Sequence, residues 1–122
     1  MVGKGHLGYQ TTDHLPVRRG FDSHVGYLEA AEDYHWGNTG GQGPEHCAVN
    51  ASTCKKDMWE NHAPGYHVVD EIFYSANFYT SRAVQLIEQR DKTKPFYLHQ
   101  TYQSVHACDV PQFQLTCSFV RF

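Results

Sequence analysis

Nothing in the 122-residue chain approaches the length of a membrane-spanning helix, so no transmembrane segment is expected. Basic clusters are missing as well. The 10 Lys and Arg are scattered among 13 Asp and Glu, and the formal charge is −3. That balance provides neither the basic stripe of a nucleic-acid binder nor a polybasic membrane patch. No charged-then-apolar signal segment with a cleavage site is present. Despite 9 His and 4 Cys, the tight Cys-x-x-Cys and His-x-x-x-His spacings of zinc sites do not occur. A Gly-x-Ser-x-Gly elbow is absent too, which leaves Ser-His-Asp hydrolysis without its usual frame.

What is present suits one packed domain. Apolar residues make up 40% and aromatic residues 14%, which is unlike a disordered chain. In HCAVNASTC, Cys47 and Cys54 flank the tripeptide Asn50-Ala51-Ser52, an acceptor for N-glycosylation. A disulfide closing this loop and a glycan on Asn50 would fit an oxidising compartment. Two reduced thiols and a chance tripeptide are the alternative.

The coarse element reading runs as follows. Met1 and Val2 are the stub of a strand, and Thr11 to Arg19 is a polar loop around Pro16. RRGFDSHVGYLEAAEDY reads as a turn with a short helix, with His24 and His35 on a solvated surface. Trp36 to Tyr66 is a long irregular excursion, and Tyr34, His35 and Trp36 offer aromatic surface there, for packing or for a sugar. Ile72, Ala76, Tyr79, Ala83 and Ile87 then recur at helical spacing, flanked by Phe78 and Leu86. Ser75 is the expected N-cap, Arg90 and Lys92 suit the negative end of the dipole, and Lys94-Pro95 is the expected stop. PFYLHQTY follows as a buried strand. A long helix feeding a short strand is half of a βα unit, so the expected fold class is α/β.

Two places on this scaffold carry chemistry. His106 falls just past the carboxyl end of the last strand, where α/β sheets build their sites. The opening GKGHLG puts Lys4 and His6 just past the first strand, a fixed cation and an imidazole among glycines. Both side chains suit an anion. A solvated terminus and a structural histidine are the bland alternatives.

Three stretches, in order, resemble the sulfatases. GKGHLG is similar to their Gly-Lys-Trp-His-Leu-Gly segment, and PVRRGFDSHVGYLEAAEDY to their Pro-Thr-Arg-Arg-Gly-Phe-Asp stretch and the Gly-Tyr after it. YSANFYTSRAVQLIEQRDKTKPFYLHQTYQSVH is similar to a helix, a strand and a His-bearing turn. The arylsulfatase B type (N-acetylgalactosamine-4-sulfatase-like, with the related arylsulfatases I and J) fits best, and its Cys-sequon-Cys loop lies in the same place. The likeness covers residues 1–106 as a partial sulfatase catalytic domain, and 107–122 form a divergent tail.

The resemblance implies a fragment of an alkaline-phosphatase-like α/β domain that hydrolyses sulfate esters of glycosaminoglycans or aryl sulfates in lysosomes or outside the cell. It implies a formylglycine nucleophile and a bound calcium ion. By position, Lys4 would bind the sulfate, His6 would contact the formylglycine diol, and His106 would meet the sulfate near the leaving oxygen. Negative charge builds on that group during the reaction, and preorganised cations stabilise it.

Departures from the family are equally specific. No Cys-x-Pro-x-Arg or Cys-x-Ala-x-Arg segment surrounds Cys47, Cys54, Cys108 or Cys117, so the formylglycine precursor is absent from this sequence. The Asp-Asp and Asp-Asn pairs that hold calcium and the second sulfate-binding Lys are absent too, and Gly5 replaces the usual Trp, an expected loosening beside His6. The pattern resembles a truncated gene, a splice product or a degenerate copy, with a start at an internal Met as the expectation. The expectation is a chain without turnover of its own, with a non-catalytic binder of a sulfated glycan or a partner chain as the alternative. Exposed apolar surface is expected with it.

Overall fold

The structure is a computed structural model, and it describes residues 1–29, 57–65 and 74–104. Two glycines set how its strands meet. Gly3 has φ 105° and Gly26 has φ 151°, conformations that side chains rarely adopt. A Cβ on Gly3 would lie 1.8 Å from the Thr101 carbonyl oxygen, and one on Gly26 would lie 2.0 Å from the Gly3 carbonyl oxygen. Only glycine lets the three backbones approach so closely.

Those backbones are β1 (Val2–Gly3), β2 (Val25–Tyr27) and β5 (Gln100–Thr101). β1 pairs in parallel with both others, Val2 opposite Val25 on one side and Gln100 on the other. β3 (Met58–Glu60) and β4 (Ala63–Pro64) extend the sheet antiparallel beyond β2, giving the order β4-β3-β2-β1-β5. Asn61 and His62 make the two-residue turn between β3 and β4, Asn61 in the left-handed region at φ 54°. Its amide donates to the His24 carbonyl at 2.8 Å, and its Oδ1 accepts the His24 amide at 3.0 Å. The hairpin tip is thereby clasped to the start of β2.

The helix α1 spans Ser75–Gln89. Ser75, Tyr79 and Ala83 form its buried stripe at i, i+4 spacing. Tyr79 packs with Val2, Val25, Tyr27 and Met58, and Phe78, Leu86 and Leu98 close the edges of that cluster. Full burial of each large side chain there stabilises the fold by roughly 2 kcal/mol. The other face of the sheet holds Leu15, Leu28 and Trp59 beneath two short 3₁₀ helices, Thr12–His14 and Pro16–Arg18. Adjacent residues divide between the faces, Tyr27 from Leu28 and Met58 from Trp59, as the pleat requires.

Among the described residues a mixed sheet and one α-helix are compatible with an α/β class, and the strand at Val2 and the helix stripe agree with the periodicity. Several local expectations are corrected. VGY is a buried central strand rather than a turn and helix, because Gly26 serves the close approach to β1. Residues 58–64 form a hairpin inside the expected irregular excursion. Leu15 and Pro16 are buried within the supposedly polar loop. Ser75 is the first helical residue rather than the cap, and Tyr74 caps without a side-chain bond. The helix ends at Gln89, where Arg90 turns extended at ψ 148° and its guanidinium bonds the Ile87 carbonyl, well before Pro95. Ile87 lies outside the buried stripe, 42% exposed. PFYLHQTY is an edge segment with Phe96 and Tyr97 exposed, and only Gln100 and Thr101 are strand. His24 is 2% exposed, not on a solvated surface. Ile72, His35, Trp36, Tyr34 and all four cysteines lie outside the described residues.

Candidate functional site at the carboxyl ends of the parallel strands

Because β2, β1 and β5 run in parallel, their carboxyl ends open at one edge of the sheet. Lys4, Gly5 and His6 leave β1 there, Leu28 and Glu29 leave β2, and Tyr102, Gln103 and Ser104 leave β5. The exits are stitched together. The Lys4 amide donates to the Thr101 carbonyl at 3.1 Å, and Thr101 Oγ1 donates to the Lys4 carbonyl at 2.6 Å. Gly5 donates to the Tyr27 carbonyl at 2.6 Å and Gly8 to the Leu28 carbonyl at 2.7 Å. A Cβ on Gly5 would lie 3.1 Å from the Tyr27 oxygen, a tight contact with the β2 backbone.

This stitching leaves two side chains available. The Lys4 ammonium makes no salt bridge or hydrogen bond to any other described residue, and the side chain is half-buried. His6 is exposed and held in the left-handed region at φ 57°. A non-glycine residue pays backbone strain there, and such strain gathers at functional positions.

Helix α1 brings its amino end to the same edge. Ser75 Oγ donates to Gln103 Oε1 at 3.1 Å, both side chains buried, and Tyr74 Oη lies 3.5 Å from Ser104 Oγ. The first turn of a helix carries partial positive charge, so its position adds to that of Lys4. Gln103 was passed over in the sequence as part of a turn; a polar residue directly past a strand end, three before a histidine, was the signal. Asp57 was missed as well. Its buried Oδ2 accepts the Leu28 amide at 2.9 Å and the Glu29 amide at 2.7 Å, pinning the exit of β2.

These residues do not make a calcium cage. Calcium takes about six to eight oxygens. Asp57 is committed to backbone amides, Glu60 pairs with Arg82 at 3.4 Å, and Asp91 binds Thr93 and Lys94. No group of three or more metal-binding side chains exists among the described residues.

Of the expected site residues, Lys4 and His6 share the carboxyl edge, and the segment leading to His106 leaves β5 at that same edge. His106 itself, Asn50, Cys47 and Cys54 lie outside the described residues.

No family model matches the chain. Among curated proteins it aligns with Arylsulfatase J of Mus musculus, 35% identical over 107 residues. The chain is a relative of the sulfatases. The alignment takes in 88% of this chain and 16% of that protein, so the sulfatase relative described here corresponds to a small part of it. None of its described helices is long and apolar enough to cross a membrane.

Proposed function

We propose that this sulfatase relative is a piece of an arylsulfatase B-type sulfuric ester hydrolase with an alkaline-phosphatase-like domain, and that Lys4, His6 and His106 grip the sulfate group. The observation that supports it most is the parallel pairing of β1 with β5, which brings the exit holding Lys4 and His6 beside the exit that leads to His106. The amino end of α1 strengthens the same positive potential.

In this reading the Lys4 ammonium neutralises a non-bridging sulfate oxygen. His106 as imidazolium would hydrogen-bond the ester oxygen and, where a nucleophile supplied by the rest of the enzyme attacks sulfur, would donate its proton to the leaving alcohol. In an enzyme holding a formylglycine, His6 would hydrogen-bond its diol from the strained β1 exit. The formylglycine nucleophile and the calcium ligands are not in this sequence, and the described carboxylates do not replace the latter, so no step is assigned to either. The chain alone therefore binds without turnover. Residues 1–106 are the partial catalytic domain and 107–122 a divergent tail. A glycan on Asn50, a disulfide between Cys47 and Cys54, and a lysosomal or secreted location belong to the same proposal.

Calorimetric titration with N-acetylgalactosamine 4-sulfate tests it. Saturable binding that falls roughly tenfold in Lys4→Ala and in His106→Ala is expected, the loss of one charge-assisted bond each. Equal affinity in wild type and both variants contradicts it, as does hydrolysis of an aryl sulfate by the pure chain.

A further inference from the structure

The face of the sheet away from α1 carries a second feature that the sulfate reading does not use. An open-mouthed hollow of about 150 Å³ lies between the 3₁₀ helices, the β1 exit and the edge of β5. Its apolar lining comes from Leu7, Pro16, Phe21 and Leu28. A cavity of about this size accommodates a benzene ring. Every ionisable side chain that lines it is basic or an imidazole: Arg19, His14 and His99, with no carboxylate among them.

The hydrogen bonds around the hollow orient those donors. His14 Nδ1 accepts the Thr11 amide at 3.3 Å and lies 3.1 Å from Thr11 Oγ1, which places the neutral ring's proton on Nε2. His99 Nδ1 lies 3.4 Å from Tyr97 Oη, and where Nδ1 accepts the phenol proton Nε2 is the donor of this ring. The Arg19 guanidinium has no carboxylate or carbonyl partner among the described residues, and its planar fork matches a carboxylate or sulfonate. Phe21 stacks on Tyr97 at 6.2 Å between centroids and is tilted 42° to the His99 ring at 6.0 Å, so an aromatic ring lies next to the donors.

Shape and charge therefore select the same kind of molecule. We propose that this hollow binds a small aromatic anion, a single ring carrying a carboxylate or sulfonate, with the ring on Phe21 and Leu28 and the charged group on Arg19, His14 and His99. Gly5, Gly8 and Leu28 of the carboxyl edge border the hollow but Lys4 does not line it, and the proposal does not rest on the sulfatase chemistry.

Titration of the whole chain with benzoate and benzenesulfonate, followed by amide chemical shifts, tests the proposal. Saturable shifts at Gly5, Gly8, Arg19 and Leu28 are expected with both anions. Arg19 is exposed, so Arg19→Gln preserves the fold and is expected to weaken benzoate roughly tenfold. Benzyl alcohol, equal in shape but uncharged, is expected to bind at least as weakly as benzoate does to that variant, and inorganic sulfate not to saturate these shifts. His14→Gln and His99→Gln provide a second check, each lowering affinity with the shift pattern retained. The proposal is overturned if wild type shows no saturable shift with benzoate. Benzyl alcohol binding as tightly as benzoate, or Lys4→Ala abolishing binding while Arg19→Gln leaves it intact, overturns it as well.

Discussion

His6 and His24 stand at opposite ends of neighbouring parallel strands, and the sheet treats them in opposite ways. His6, at the carboxyl end of β1, is exposed in a left-handed conformation, with Lys4 half-buried beside it. His24, at the amino end of β2, is 2% exposed and clasped through its backbone by Asn61. Neither of its ring nitrogens reaches a partner in hydrogen-bonding geometry, although the nearby Gly3 backbone slightly favours the charged ring. Burial, aided by the amino-terminal ammonium, lowers its pKa from 6.5 to about 4. The amino end spends its histidine on packing, in the neutral form. The carboxyl end presents its ionisable groups to solvent at some cost in backbone strain. Residue type is shared, and position on the sheet decides burial and exposure.

That contrast can be broken at four places. Gly3→Ala forces a Cβ to within 1.8 Å of the Thr101 oxygen and should separate β1 from β5. A loss on the order of 4 kcal/mol in urea unfolding is expected, with the carboxyl edge dismantled. Acid comes next. Since the folded-state pKa of His24 lies below its ordinary value, the fold favours the neutral ring, and the stabilisation is whole above pH 6.5 and drains away as pH falls toward about 4. The total is about 3 kcal/mol, read as the pH slope of the denaturation midpoint, and His24→Leu should flatten that slope.

Smaller effects sharpen the comparison. Ser75→Ala removes the buried bond to Gln103 that ties α1 to the β5 exit, and should cost about 1 kcal/mol in the same unfolding measurement. His6→Gly relieves the left-handed strain and is expected to stabilise by about 0.5 kcal/mol while weakening sulfate-ester binding. A loss of stability in His6→Gly would mean that the imidazole serves the fold rather than a ligand.

Long-range approach explains what could and could not be read from the amino acids. The Tyr79–Ala83 stripe follows a local period of 3.6, so the helix was legible without knowledge of its partner. The place of Lys4 and His6 just past the first strand was legible because a short strand followed by glycine-spaced residues is itself local. Gly26 falls in the stretch expected to be a turn with a short helix, since nothing near it in the chain announces that Gly3, 23 positions earlier, presses on it from β1. His24 looked solvated among nearby carboxylates, because the turn that clasps it, at Asn61, lies 37 residues away. Ser75 had the chemistry of a cap, yet Gln103, 28 residues away, claims its hydroxyl. Periodic and contiguous features survive translation into sequence; contacts across strands do not.

The central claim is that the β1 and β5 exits make one anion-gripping edge. The most direct measurement follows the amides of Lys4, Gly5 and His6 together with those of Gln103 and Ser104 while a sulfate ester is titrated. One common saturation curve for both segments is predicted. Shifts confined to one segment, or two curves with unrelated midpoints, would contradict it.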